Sequence, residues 1–242
     1  MLGRSHMVSG TAVFTGTTLA LNYTVSQVIT GLVVVSCAAL LPDMDHNKAT
    51  ISRVYGPVTV GFSHVVAALA GGHRKGTHSF LGILLLGVIA QVCVTHRDSY
   101  VAKTVLSCLL IVTLAAGLKI LVPQRKKRRK RKRPGEIQSQ SPFSMLSWVD
   151  EFIPIPLVVA LVFLTPVNLD AVPPAIMMGC LVHVFGDCLT NTGCPVLWPF
   201  SKWRLKFGLF STGKWFERRV VFPVMIVGTF AMACLRVFHG TV

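Results

Sequence analysis

The residues best suited to chemistry in this sequence are histidines and aspartates at the edges of apolar segments. They form four short clusters, at residues 4–6, 41–46, 73–79 and 183–187. Only 9 of the 242 residues are acidic, so carboxylates beside hydrocarbon are not a general feature of the chain. Ionisable groups in such places are costly unless partners or a metal ion compensate. The clusters therefore predict a metal site at a membrane surface.

Two of the clusters can present ligands from defined backbone positions. His183 and Asp187 are four residues apart, so on a helix they share one face and can bind a single ion. Asp43, Asp45 and His46 directly follow the point where an apolar segment stops. That position would bring two carboxylates and an imidazole to the mouth of a site instead of into lipid.

The third cluster holds His73 and His78, which are five residues apart and cannot share the face of a straight helix. Gly72 and Gly76 allow the backbone to fold so that both imidazoles turn inward. Nitrogen and oxygen ligands without thiolates suit zinc best among the common ions, with manganese or iron as alternatives. A set of this size predicts one or two divalent ions, and a pair of ions is a common means of activating water.

The elements that must position these residues are apolar helices. Apolar residues make up 52% of the chain and charged residues 14%, which is typical of an integral membrane protein. Prolines punctuate the segment ends, and no strand alternation is evident. We predict an all-α, polytopic membrane protein with about four to six membrane-embedded helices, some short or re-entrant. The candidate segments are 27–41, 79–94, 100–122, 153–168, 172–189 and 220–238, with 58–70 packing at the interface.

A basic tract divides the chain into two halves. Nine consecutive basic residues run from Arg125 to Arg133 and account for most of the formal charge of +15. We predict an N-terminal membrane half (1–122), a disordered basic loop (123–145) and a C-terminal membrane half (146–242). The positive-inside rule places the loop, and with it all four clusters, at the cytoplasmic face. The tract is expected to bind anionic lipid headgroups, with nucleic-acid contact as the less favoured alternative.

Each cluster also has a simpler interpretation, as interfacial polar residues or helix caps, but four clusters on one face favour a shared site.

The cysteines and the histidines and most acidic residues outside the clusters are expected to be structural or solvated. Seven cysteines without a CxxC pair are expected to be buried apolar thiols. The residues expected to be structural or solvated are His64, His96, His239, Asp98, Asp150, Glu151 and Glu217.

Taken in order, the motifs resemble the YdjM-like family of LexA-regulated, inner-membrane, metal-dependent hydrolases. The matching elements are an early Ser-His ending at His6, LPDMDH (41–46), HRKGTHS (73–79), and HVFGD (183–187) followed by Thr190, Gly193 and Leu197-Trp198-Pro199. The resemblance covers most of the chain apart from the basic tract and the C-terminal tail. It implies a helical membrane protein with a metal-dependent hydrolase site, and it does not supply a substrate.

The motif match assigns roles to individual residues. The ligands that it implies are His6, Asp43, His73, His78, His183 and Asp187. Asp45 and His46 would be catalytic acid–base groups or additional ligands. Arg74 and Lys75 would bind an anionic group of the substrate.

The expected function is hydrolysis of a phosphoester or another ester, lipid-derived esters included, by metal-activated water at the cytoplasmic face. The basic rim of the site and the abundance of phospholipid favour a phosphoester. The alternative is a non-enzymatic membrane protein that binds or conducts metal ions. Ligands of a transporter are expected near the bilayer midplane on broken helices, whereas here they lie at segment ends, which favours the enzyme.

Overall fold

A computed structural model of the chain describes residues 1–21, 23–122, 152–164 and 169–238. Within these ranges it contains helices and no β-strand; two isolated bridges, Thr190 with Phe210 and Cys194 with Leu205, are the only sheet-like pairings. The prediction of an all-α protein is confirmed. The predicted basic loop and its tract, Arg125 to Arg133, lie outside the described residues, as do Asp150, Glu151 and His239.

Eight α-helices are described. They are α1 (Gly3–Ala20), α2 (Val25–Ala38), α3 (Pro57–Leu69), α4 (Phe80–Thr95), α5 (Tyr100–Leu121), α6 (Pro154–Val159), α7 (Val172–Cys188) and α8 (Phe222–Phe238). Short 3-10 helices occupy Leu41–Asp45, Ile51–Arg53 and Gly76–His78, and π-helical turns occupy Ala160–Leu164 and Glu217–Val221.

Within the described ranges, three segments are long and apolar enough to cross a membrane: Val25–Asp45, Tyr100–Leu121 and Glu217–Arg236. Shorter apolar helices accompany them, and α3, α4 and α8 carry many large apolar side chains that no part of the described protein covers. Such a surface is unfavourable in water and suits lipid. These features support the prediction of a polytopic membrane protein.

Helix α7 lies at the centre of the bundle and packs against α1, α2 and α4. Small residues permit this packing, as is usual between helices in membranes. A Cβ atom on Gly179 of α7 would lie 2.8 Å from both the Ala39 nitrogen and the Val35 carbonyl oxygen. The backbones of α7 and α2 are therefore in direct contact immediately below the end of α7 that carries His183 and Asp187.

Helix α1 was absent from the predicted membrane segments, yet it packs against α2, α7 and α8. Its hydroxyl side chains donate hydrogen bonds within the helix itself: Thr11 to the Met7 carbonyl at 2.9 Å and Thr15 to the Thr11 carbonyl at 2.8 Å. Hydroxyls satisfied in this way can be buried at little cost. Helix α1 thereby brings His6 into the interior.

Glu217 does not fit its expected place among solvated surface charges. It is fully buried, and it accepts hydrogen bonds from the backbone N–H groups of Leu2 and Gly213, each at 2.6 Å. The correction has a physical reason: two backbone donors replace the water that the carboxylate loses. Glu217 thus ties the start of α1 to the loop before α8. Asp98, by contrast, is exposed as expected.

Candidate metal centre

One end of the bundle collects side chains from all four sequence clusters. The start of α1 supplies His6, the 3-10 helix after α2 supplies Asp43, and the 3-10 helix before α4 supplies His78. The end of α7 supplies His183 and Asp187. His6, His78, His183 and Asp187 are fully buried, whereas the Asp43 side chain is 26% exposed. The site therefore opens to its surroundings at Asp43.

Among the residues that the structure describes, two overlapping groups of ligand atoms lie close enough together to hold an ion. One group is His6, His183 and Asp187; the other is Asp43, His78 and His183. Within each group, one ligand atom per residue lies within 4.8 Å of the others. Five of the six residues expected as ligands are thus brought together, and His183 belongs to both groups.

Four of the distances between ligand atoms are close to those expected around a tetrahedral ion. His78 Nε2 and His183 Nε2 each lie 3.8 Å from Asp43 Oδ1 and 3.9 Å from Asp187 Oδ2. Four ligands at zinc bond lengths would be about 3.4 Å apart. If each of these distances shortened by roughly half an ångström, the four atoms could all bind one zinc ion.

A hydrogen bond determines which nitrogen of His183 is free to bind an ion at the centre of the site. Its Nδ1 lies 2.7 Å from the Ala39 carbonyl oxygen, which can only accept, so Nδ1 carries the hydrogen. In the neutral ring Nε2 then has the free lone pair, and this atom is buried without a hydrogen-bond partner. A metal-bound histidine typically uses its other nitrogen in this way.

For His78, two linked hydrogen bonds likewise leave Nε2 as the nitrogen that is free to bind an ion. The Thr77 hydroxyl donates its one hydrogen to Asp45 Oδ2 at 2.5 Å, so it must accept from His78 Nδ1, 2.9 Å away. His78 Nε2 is consequently left with a lone pair, and it too is buried without a partner. Buried polar atoms without partners are uncommon because they are costly, and a cation would satisfy both. The residues present therefore fit a metal ion.

Asp45 organises the loop that carries His78 and does not belong to either ligand group. Besides Thr77, it accepts hydrogen bonds from the Arg74 backbone N–H at 2.9 Å and from His73 Nδ1 at 2.7 Å. His73, expected as a ligand, is likewise outside both groups. Its exposed ring is bound to Asp45 and stacks on His46 with centroids 4.3 Å apart.

His46 and His73 form a stacked pair at the mouth of the site. Partial burial, followed by repulsion from His73, lowers the pKa of His46 below its usual value. His46 is therefore neutral at neutral pH and can accept a proton. This placement agrees with an acid–base role for His46, whereas Asp45 is already occupied by three donors.

The two basic residues expected to bind substrate separate in the structure. Arg74 is mostly buried, and its Nη2 lies 2.8 Å from Asp187 Oδ2, although the angle does not meet hydrogen-bond geometry. The Arg74 Nε is also buried without a hydrogen-bond partner. Lys75 is exposed on the surface. The Met1 ammonium is a second cation beside Asp187, bound to its Oδ1.

Glycines make room for the site on two sides. A Cβ on Gly186 would lie 3.3 Å from the ring of His6, which stacks on His183 with centroids 3.8 Å apart. Cβ atoms on Gly71 and Gly76 would each lie 3.0 Å from the indole of Trp198. The tryptophan of the late Leu-Trp-Pro motif therefore packs directly on the loop that contains His78.

A helical bundle with apolar candidate spans and a buried histidine–aspartate cluster at one end defines a polytopic membrane protein with a candidate metal centre. The sequence model of the family described as "YdjM inner membrane protein" matches residues 1–240. The chain belongs to that family, as its motifs had indicated, and it is an inner membrane protein. No curated protein and no solved structure matches the chain.

Replacing Asp45 by asparagine is expected to weaken zinc binding roughly 10- to 100-fold without removing a ligand. An amide offers one acceptor oxygen, so the bonds that orient Thr77, and through it His78, cannot all be kept. Competition titration of the purified protein against a zinc chelator dye measures this change. Asp98→Asn, an exposed change of the same chemistry, is the control. An unchanged affinity in Asp45→Asn would contradict the orienting role.

Proposed function

We propose that this protein is a membrane-bound, metal-dependent hydrolase that acts on a phosphoester or another ester at the cytoplasmic face. The observation that carries the proposal is the convergence of His6, Asp43, His78, His183 and Asp187, with the Nε2 atoms of His78 and His183 buried and unpartnered. A purely structural cluster would be expected to pair these nitrogens with protein groups.

Zinc is the ion that the donor set favours, with manganese or iron as alternatives. The two groups of ligand atoms share His183, whose Nδ1 is already bonded to Ala39. Its remaining nitrogen can bind only one ion. One ion held by His183 and its two partners in one group is therefore the simplest occupancy, because a second ion would have only the two remaining residues of the other group.

The proposed reaction is hydrolysis of a P–O ester bond. When bound, the metal would supply a positive charge that lowers the pKa of water and polarises the phosphoryl group. The oxygen of water forms a new bond to phosphorus while the bond to the leaving alcohol breaks. His46, neutral and at the mouth, would take the proton from water and then, as the imidazolium, give a proton to the leaving oxygen.

Arg74 is the residue best placed to recognise an anionic substrate. Its guanidinium faces Asp187 at the centre of the site, and its Nε has no hydrogen-bond partner. A phosphoryl oxygen would satisfy that donor, and guanidinium groups match phosphate geometry well. Lys75, on the surface nearby in sequence, would add to the positive potential around the mouth.

The basic tract supports the proposed cytoplasmic location of the site. Helix α5 ends at Leu121, and its residue Ile120 lies against Gly3 at the start of α1, which is the end of the bundle that holds the site. Helix α5 therefore ends on the same side of the bundle as the metal centre, and the tract Arg125 to Arg133 begins four residues later in the sequence. Positive-inside topology would put both in the cytoplasm, where the tract would contact anionic lipid headgroups.

An activity screen tests the proposal. The purified protein, loaded with zinc or manganese, is assayed on phosphatidic acid, a phospholipid diester, a water-soluble phosphodiester and a carboxylic ester. We expect release of product from at least one phosphoester, loss of activity with a chelator, and loss in His78→Ala. Silence on every ester by a protein that binds metal would refute the enzyme and leave the non-enzymatic metal-binding alternative.

A further inference from the structure

An apolar groove lies beside the metal centre. We infer that this groove holds the hydrocarbon chain of the substrate, so that the ester hydrolysed at the site belongs to a lipid. The inference rests on the proposed hydrolase function and names its substrate class. The groove has a volume of about 460 Å³, in the range of ligand sites, and lies between α1, α2, α5 and α6.

The groove begins within about one helical turn of the metal centre. Met7, which lines it, follows His6 on α1, and Cys37, which also lines it, is two residues before Ala39. The Ala39 carbonyl in turn holds His183. A chain lying in the groove would therefore place its polar head at the end of the bundle where Arg74 and the candidate ligands converge.

The groove walls offer hydrocarbon and no free polar group. Ser36 is the single residue with a polar side chain among those that line it, apart from the Cys37 thiol. The Ser36 hydroxyl already donates a hydrogen bond to the Leu32 carbonyl at 2.6 Å, and its oxygen lies 2.5 Å from the Thr11 hydroxyl. A polar ligand would lose hydrogen bonds to water here and gain none, whereas each methylene of an acyl chain gains from burial.

The surroundings of the groove indicate where its occupant comes from. Helices α2 and α5 belong to two of the three candidate membrane spans. The lining residues Leu114 and Leu121 are two turns apart on α5, so the groove extends roughly 10 Å along the bundle from the site end. An acyl chain from the bilayer can enter such a groove laterally, and its ester group would stay at the membrane surface.

Photo-crosslinking in lipid nanodiscs tests this inference. The probe is phosphatidic acid with a diazirine near the end of one sixteen-carbon chain. In the wild-type protein we expect labelling of peptides from α2 and α5. Leu118→Trp on α5 and Val33→Trp on α2, which both line the groove, should each lower that labelling roughly tenfold, the equivalent of losing about two methylene contacts.

The matched control is Leu84→Trp on α4. Leu84 and Val33 are similarly exposed, at 52% and 48%, but Leu84 does not line the groove. Its replacement should leave the labelling of α2 and α5 unchanged. Equal labelling of α4 and the groove, or labelling that neither groove variant reduces, would show ordinary contact with bilayer lipid and overturn the inference.

Two further readouts separate the groove from the chemistry. His183→Ala should keep the labelling while losing metal, so a failure of the hydrolase proposal and a failure of the groove give different results. Relative to the wild-type enzyme, the Leu118→Trp variant should have a roughly tenfold lower kcat/KM on long-chain phosphatidic acid. Its kcat/KM on a water-soluble phosphoester should be unchanged. Equal losses on both substrates would contradict a role for the groove in binding the chain.

Discussion

Replacing His183 by alanine is expected to lower zinc affinity by well over a hundredfold, because orienting groups alone contribute about 10- to 100-fold and His183 is proposed as a direct ligand. The residue belongs to both groups of ligand atoms, so no alternative set in the described chain keeps its geometry without it. The Ala39 carbonyl fixes the tautomer that leaves Nε2 free. The His183→Ala change therefore deletes a ligand whose ring is already oriented to bind an ion.

Isothermal titration with zinc in detergent measures this loss. His96→Ala is the matched control, since His96 is an exposed histidine at the end of α4 and far in sequence from the four clusters. The control should bind zinc as the wild type does. Similar affinities for His183→Ala and the wild type would mean that zinc binds elsewhere, on surface histidines or on the cysteines.

The second large effect is expected at Gly179, where α7 meets α2. A methyl group at this position would contact the Ala39 nitrogen and the Val35 carbonyl oxygen at 2.8 Å, and both are backbone atoms that cannot rotate away. Gly179→Ala should lower the free energy of unfolding by about 1–3 kcal/mol, as overpacking of a core does. It should also weaken zinc binding, since α2 carries the carbonyl that orients His183.

Thermal unfolding in detergent and zinc titration measure the two effects together. Gly228→Ala on α8 is the control, because nothing lies within 4 Å of a Cβ at that glycine. That change should be neutral or raise stability by up to about 1 kcal/mol through helix propensity. If Gly179→Ala is as stable as Gly228→Ala, the two backbones are not in direct contact.

The sequence was sufficient to predict the helical class and the convergence of the clusters. Apolar segment length gave most of the helices, and polar clusters at segment ends indicated a common face. Helix α1 was not predicted as a membrane segment because its serines, threonines and glycines lower its hydropathy. Those hydroxyls donate hydrogen bonds to carbonyls one turn earlier, which lowers the free-energy cost of burying them. These bonds exist only once the helix has formed.

The roles within the HRKGTHS motif were harder to predict. Spacing placed His73 and His78 together as ligands, but only the folded loop shows that Asp45 binds His73 and, through Thr77, orients His78. Glu217 was equally hidden, because its donors are the backbone groups of Leu2 and Gly213 and no residue type signals them. Hydrogen bonds to the backbone carry little trace in the sequence.

The most direct test of the central claim is the metal content of the purified protein, measured by elemental mass spectrometry. Wild type is compared with His6→Ala, Asp43→Ala and His78→Ala, one change from each of three separate elements of the chain. We expect one or two equivalents of a transition metal in the wild type and a marked loss in all three variants. A wild-type protein that holds no metal even after reconstitution with zinc, manganese or iron would contradict it.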